Sequence, residues 1–219
     1  MKLIIALTVL AFVAMGHASL AQEIGPPKGA TQLTNAMPIN PASWVTTSDR
    51  ERSGSNGEGL TRFELTISPS GLVENCRITE SSSFAALDQL TCTLMISRGH
   101  FRPGRDQSGV AIASTFANQV RWAEPGHTWD VPGPRPYLSL TVSRLPEHLT
   151  TPAYVRVLAV VGIGGEVEAC EGQAKGNLAV LNIVACQQLG HQLIDLVSRD
   201  QAGAPRRILR SLLVEFSTH

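Results

Sequence analysis

Four cysteines, Cys76, Cys92, Cys170 and Cys186, are the residues of this 219-residue chain best suited to chemistry, and they fall into two pairs with the same sixteen-residue gap. Such cysteines build either a disulfide framework or a thiolate metal site. Structural zinc needs close pairs such as C-x2-C; neither gap supplies one, so no metal is expected. An even cysteine count is the usual mark of an oxidised, exported protein.

The other reactive residue types do not assemble into a catalytic pattern. A nucleophilic site requires a base and an orienting group, and Ser81, Ser82 and Ser83 lie in no G-x-S-x-G setting. His100, His127, His148, His191 and His219 form no H-x-x-x-H ligand pair. No enzymatic activity and no cofactor are expected. Arg98, His100, Arg102 and Arg105 form a basic cluster that could hold a carboxylate, but positive charge is also favourable at a helix C-terminus, and a solvated loop is the expected reading. Asp88 is expected to face water near the start of its helix.

The equal gaps prompt a comparison of the chain with itself. At a shift of 94 residues, without a gap, Gly71 meets Gly165, Glu74 meets Glu168, and both cysteines of the first pair meet those of the second. Arg105-Asp106-Gln107-Ser108-Gly109 meets Arg199-Asp200-Gln201-Ala202-Gly203, and Trp122 meets Phe216. Two copies of one small domain account for this register, and each copy is long enough for a modest core stapled by one disulfide.

Within the first copy, Phe63, Leu65 and Ile67 alternate with polar residues, the period of a half-buried strand. Pro69-Ser70-Gly71 is turn chemistry, and a second strand should run from about Leu72 to Thr79. The three serines offer N-caps to a helix in which Leu87, Leu90, Thr91 and Leu94 recur at helical spacing and which stops near Gly99. A long final strand follows, from Val110 to Trp122. Cys76 on the second strand can then reach Cys92 on the helix, and Cys170 can reach Cys186 in the same way. In the second copy the helix should span 177–189 and the last strand 206–216. Residues 137–142 read as one more strand, of unassigned sheet.

The first copy resembles the TonB C-terminal domain, and most closely the cysteine-containing TonB-like proteins of the Gram-negative periplasm. The resemblance rests on Pro41-Ala42-Ser43-Trp44-Val45-Thr46-Thr47, Gly71-Leu72-Val73-Glu74-Asn75-Cys76, the serine run with Leu87-Asp88, Cys92, and His100-Phe101-Arg102-Pro103-Gly104-Arg105-Asp106. The second copy resembles a degenerate version, with Leu196-Val197 where Arg102-Pro103 would fall. The expected fold class is therefore α+β: two tandem β-β-α-β units, each a small antiparallel sheet with one packed helix and one disulfide. The resemblance implies a periplasmic domain that grips a protein or an extended peptide segment by pairing an edge strand with it. In TonB that segment belongs to an outer-membrane transporter. Two departures speak against energy transduction: there is no clear uncleaved anchor or long Pro-rich spacer, and Ser48-Asp49-Arg50-Glu51 replaces the Tyr-Pro step of many relatives.

The chain begins with Lys2, an apolar run from Leu3 to Met15 and small residues up to Ala21, the order of a secretory signal peptide. Thirteen apolar residues fall short of the ~20 a spanning helix needs. The expected organisation is a signal peptide at 1–21, an extended segment at 22–40, the first domain at 41–124, a linker at 125–136 and the second domain at 137–219. Without Lys2 the balance is 17 basic to 18 acidic residues, which does not call for nucleic acid.

The partner-binding edge is expected at Val110, Ala111, Ile112, Ala113, Ser114, Thr115, Phe116 and Ala117. Neither charge nor proline, the usual guards of an exposed edge, occurs there, and the small or polar Ala111, Ala113, Thr115 and Ala117 would let another backbone approach. Cover by the second copy or by residues 137–142 is the alternative. Whether such edges also pair to form a homodimer is left open. Intact mass of the protein recovered from a periplasmic extract should begin at Gln22; a retained Met1 would instead support a membrane anchor.

Overall fold

The computed structural model describes residues 32–52, 54–55, 57–124, 126–191, 197–200 and 202–219. The signal peptide and residues 22–31 of the extended segment lie outside the described residues. The first part contains a short helix α1 (Thr47–Arg52), strands β1 (Gly59–Ile67) and β2 (Val73–Glu80), helix α2 (Ala85–Arg98) and strand β3 (Ser114–Trp122). The second contains β4 (Leu138–Val142), β5 (Ala153–Val161), β6 (Val167–Gly172), α3 (Ala179–Gly190) and β7 (Ile208–Thr218). The described residues between β3 and β4 contain neither helix nor strand, as a linker should.

The β-β-α-β order occurs twice, and each second-set element starts 94 residues after its counterpart. The correspondence extends to hydrogen bonds. Asp106 Oδ1 accepts from the amides of Ser108 and Val110, and Asp200 Oδ1 accepts from those of Ala202 and Ala204. The guanidinium of Arg105 reaches Gly109 O at 2.8 Å, and that of Arg199 reaches Gly203 O at 2.9 Å. The hairpin turns close alike, with Gly71 and Gly165 at φ 86° and 90°. Gly71 is required there for two reasons: the positive φ, and Phe101 O, which would lie 2.0 Å from any added Cβ.

Local packing follows from the residue pattern. Phe63, Leu65 and Ile67 bury one face of β1 beneath α2, whose buried residues Leu87, Thr91, Leu94 and Met95 share one helical face. Thr91 satisfies two needs in that core: its hydroxyl donates to Leu87 O and accepts from Trp122 Nε1 at 3.2 Å. Leu181, Ala185 and Leu189 of α3 pack likewise on Val155, Val157 and Ala159 of β5 and on Leu212, Val214 and Phe216 of β7.

Two expectations about the start of α2 need correction. The cap position is Phe84, and no serine side chain caps the helix. Asp88 does that tying instead of facing water: it accepts from Ser81 Oγ, from the Ser82 amide and from Thr61 Oγ1. A carboxylate one turn into the helix answers several donors at once, which a neutral hydroxyl cannot do.

The two small sheets expected from the sequence are one seven-stranded sheet of order β2-β1-β3-β7-β5-β6, with β4 attached to β7. It is not wholly antiparallel. β7 runs parallel to β3 at a single bridge, Leu209 with Ser114, and parallel to β4 from Val214 to Thr218. Residues 137–142 thus find their sheet. Ser114 lies on the parity of Phe116, Val120 and Trp122, which faces α2, and its partner Leu209 lies off the parity of Ile208, Leu212 and Val214, which faces α3. Side chains of paired residues share a face, so α2 and α3 cover opposite faces. The face opposite α3 is closed by Leu33, packed with Ile112, Leu158, Val160 and Leu209, while the Leu33 amide donates to Glu171 Oε2.

The disulfides are local, Cys76 with Cys92 and Cys170 with Cys186, at Cα separations of 5.4 and 5.6 Å. Replacing Cys76 and Cys92 together with serine is expected to lower the unfolding free energy by about 3 kcal/mol, the chain-entropy value for a loop of this size. Urea denaturation followed by circular dichroism measures it, and an unchanged midpoint would contradict that role.

Candidate partner-binding edge

β3 does not begin at Val110. The chain from Val110 to Ala113 precedes the strand: Asp106 N donates to Val110 O, Ala111 bridges to Arg105, and Ile112 N donates to Gly104 O. Arg105 and Asp106 form a tight loop whose closure holds these residues back. Ile112 and Ala113 are buried, and Val110 is exposed.

Nor is the first part of β3 open. Leu209 N donates to Ala113 O at 2.8 Å, Ser114 pairs with Leu209, and Thr115 Oγ1 accepts from Ser211 N at 3.4 Å. Ser114 and Thr115 are buried. The second half of the chain therefore covers Ala113, Ser114 and Thr115 of the expected edge, and the open edge is shifted towards the C-terminal part of β3. From Phe116 to Trp122 the outer side of β3 pairs with no strand among the described residues, while its inner side pairs with β1 throughout. The Gln119 amide is satisfied by the neighbouring side chain, Asn118 Oδ1, at 2.9 Å. Backbone alternation puts the Ala117 and Gln119 amides on the side where Ala113 and Thr115 meet β7.

Beyond Thr115 the sheet splits. β7 keeps β5 on one side and exchanges β3 for β4 on the other, with Tyr137 N donating to Leu213 O. The split opens a groove of about 450 Å³ between Ala117, Asn118 and Gln119 on one wall and Tyr137, Ser211 and Leu213 on the other. Its floor carries ion pairs, Arg77 and Arg210 on Glu64 and Arg62 on Glu80. Arg62 also donates to Gln119 Oε1 and to Pro132 O, which ties the linker across this face.

The basic cluster around the end of α2 disperses into separate tasks. Arg98 is committed to Asp49 through two hydrogen bonds of 2.7 and 2.9 Å and to Trp44 O. Arg105 closes its own loop, and His100 and Arg102 are exposed. Asp49 is only 2 % exposed and was not marked out by the sequence, where it sat in the segment that departs from the Tyr-Pro pattern. Arg98 foremost, then Thr46 and Arg52, hold its carboxyl well below the usual carboxylate range against the opposing effect of burial. The signal for this pair was absent because its partners are 49 residues apart. Among the described residues there is no group of three or more His, Cys, Asp or Glu able to hold a metal ion, and no helix long and apolar enough to cross a membrane.

Residues 52–123 match the model of the family described as the Gram-negative bacterial TonB protein C-terminal. The first β-β-α-β unit is thus similar to the TonB C-terminal domain, a class that acts through contacts with proteins such as outer-membrane transporters. Comparison of the chain with curated proteins and with solved structures gives no match.

Because the Asp49 carboxyl is depressed in the folded state, its contribution to stability is present above about pH 4 and is lost as pH falls towards its folded value. Asp49→Asn is expected to cost about 2–3 kcal/mol at neutral pH, from loss of a buried ion pair, and less at pH 2–3. Denaturation at several pH values checks it; a difference independent of pH would assign the cost to packing.

Proposed function

We propose that the chain is an exported periplasmic binding protein of two tandem TonB C-terminal-like domains, the second degenerate, that takes an extended partner segment as an added strand on the outer edge of β3. The partner class is a protein with an accessible extended segment, an outer-membrane transporter by analogy with the family. The observation that carries this reading is the open run of β3 beyond Thr115, which borders a groove of about 450 Å³. Strand addition gains affinity from backbone hydrogen bonds and selectivity from alternating side-chain positions, and Ala117 presents an amide there.

The other margins of the sheet suit such a partner less well. β2 carries Glu74, Arg77 and Glu80, and β6 carries Glu168 and Glu171, charges of the kind that guard an edge. Phe116-Ala117-Asn118-Gln119-Val120 carries none. Export is supported by the N-terminal pattern of Lys2 and its apolar run and by two disulfides, which fit an oxidising compartment. The tandem reading is supported by the 94-residue offset of elements and hydrogen bonds. A homodimer through the same edge would occupy the groove and compete with the partner.

Ala117→Pro is the direct test. Proline removes one outward amide at a position where an edge strand tolerates it. The variant should keep the wild-type circular dichroism spectrum and lose capture of the periplasmic or outer-membrane proteins that the wild type retains. Unchanged capture by a folded variant would place the binding site elsewhere.

A further inference from the structure

Three short extended pieces meet beside the turn between β1 and β2. Met37 and Pro38 pair antiparallel with Arg102 and Phe101, and the Ile39 amide continues that ladder by donating to His100 O at 2.8 Å. On the other side of residues 100–102, Leu72 lies opposite His100, and Phe101 N donates to Gly71 O at 2.9 Å. Phe101 turns inward, buried against Trp44 and Phe116. Side chains alternate along an extended chain and paired residues share a face, so His100 and Arg102 turn outward together with Met37, Ile39 and Leu72. These three apolar side chains are 60 %, 42 % and 53 % exposed. Single exposed apolar residues call for no explanation, whereas adjacent ones mark an interaction surface.

The basic residues of this ribbon are unmatched. Among the described residues neither His100 nor Arg102 meets a carboxylate, and the acids next along the chain are engaged elsewhere, Glu74 by Arg206 and Asp106 by the amides of Ser108 and Val110. Neither the groove beside β3 nor the cleft lined by Glu64, Arg77 and Arg199 includes any residue of the outward face. Apolar side chains that stand out beside an unmatched cation, with no groove to receive a peptide, suit a surface that is anionic outside and apolar beneath. We propose that the ribbon is a membrane contact: Met37, Ile39 and Leu72 enter the headgroup region of an anionic bilayer while Arg102 stays level with its phosphates. Interfacial binding of this kind draws on apolar burial and on attraction to anionic lipids together. A second copy is a poorer occupant, because a twofold contact would bring the unmatched arginines together. The last residue of β1, Ile67, pairs with Ser114, so the ribbon lies by the start of β3 and the open run leads away from it. Membrane contact and strand addition are compatible, and neither depends on the other.

The test mixes the chain Gln22–His219, disulfides intact, with lipid vesicles and measures the fraction that sediments with them. Vesicles of phosphatidylcholine mixed with phosphatidylglycerol should bind the protein, and vesicles of phosphatidylcholine alone should bind it about fivefold less well, the scale of one basic residue at an anionic surface. Added salt should narrow that difference. Arg102→Gln should cost a similar factor on the anionic vesicles, and Met37→Ser combined with Leu72→Ser should cost about tenfold through lost apolar burial. Two changes outside the ribbon serve as controls, Arg144→Gln and, on the exposed side of α3, Ile183→Ser; both should bind as the wild type does. All these side chains are exposed, so each variant should keep the wild-type circular dichroism spectrum. No sedimentation with anionic vesicles, equal binding to both kinds of vesicle, or ribbon variants no weaker than the controls would each overturn the proposal. If vesicles are not bound and the Met37 and Leu72 changes instead lose a captured periplasmic protein, the ribbon is a protein-docking surface and the membrane contact falls.

Discussion

The backbone contact between Leu209 and the start of β3 organises the rest of the molecule. One donor, Leu209 N, reaches Ala113 O, and the Leu209 side chain is completely buried among Leu33, Ile112, Leu158 and Val160. The fit leaves little room: a Cβ at Gly104 would stand 3.0 Å from Leu209 Cδ2 and from Ser114 Cβ. Without this contact the chain would be two separate sheets, the first of them ending on an unpaired β3. With it, β3 and β7 run side by side, and the helices are forced to opposite faces. The hydrogen-bonding capacity of β3 is thereby divided, its first part used internally and its remainder left for another chain.

The contact is also brief, and its brevity makes the groove. β7 is longer than β3 and pairs with β5 through nine residues, from Ile208 to Phe216. Its other edge is shared between β3 and β4, which approach from opposite ends. In the interval between them, neither wall can bond to the other, and water or an incoming segment must satisfy the exposed backbone groups. Charged residues gather at such a place because the surrounding layers are too open to be filled by apolar side chains. Glu64 illustrates this, lying 20 % exposed between an arginine of its own half and one of the other.

Much of the local architecture was legible in the sequence. Alternation of Phe63, Leu65 and Ile67 located β1, and the shared cysteine spacing located both disulfides. The 94-residue register located the corresponding elements of the second half within two residues, since helix 177–189 is Ala179–Gly190 and strand 206–216 is Ile208–Thr218. These features depend on neighbours close in the chain. What was not legible depends on distant partners. The parallel pairing of β3 and β7 joins residues 95 positions apart, and no local pattern distinguishes an edge that is left free from one that its own chain will cover. Val110 to Ala113 read as strand because their alternation continues that of β3, but the Asp106 loop claims their backbone groups first. Asp88 read as a surface charge, and Asp49 went unmarked, for the same reason: each is defined by donors that arrive from other elements.

The placement of the cysteines has a consequence for how the chain reaches this state. Each disulfide spans sixteen residues and joins a strand to the helix of its own half, so oxidation requires no prior meeting of the halves. Cys76 and Cys170 stand on β2 and β6, the two opposite ends of the strand order. A bond between them would hold those ends together and prevent the central contact from forming. The completed sheet therefore selects against that thiol pairing, because a chain joined between β2 and β6 is held back from the meeting of its halves at Leu209 and stays open to further exchange.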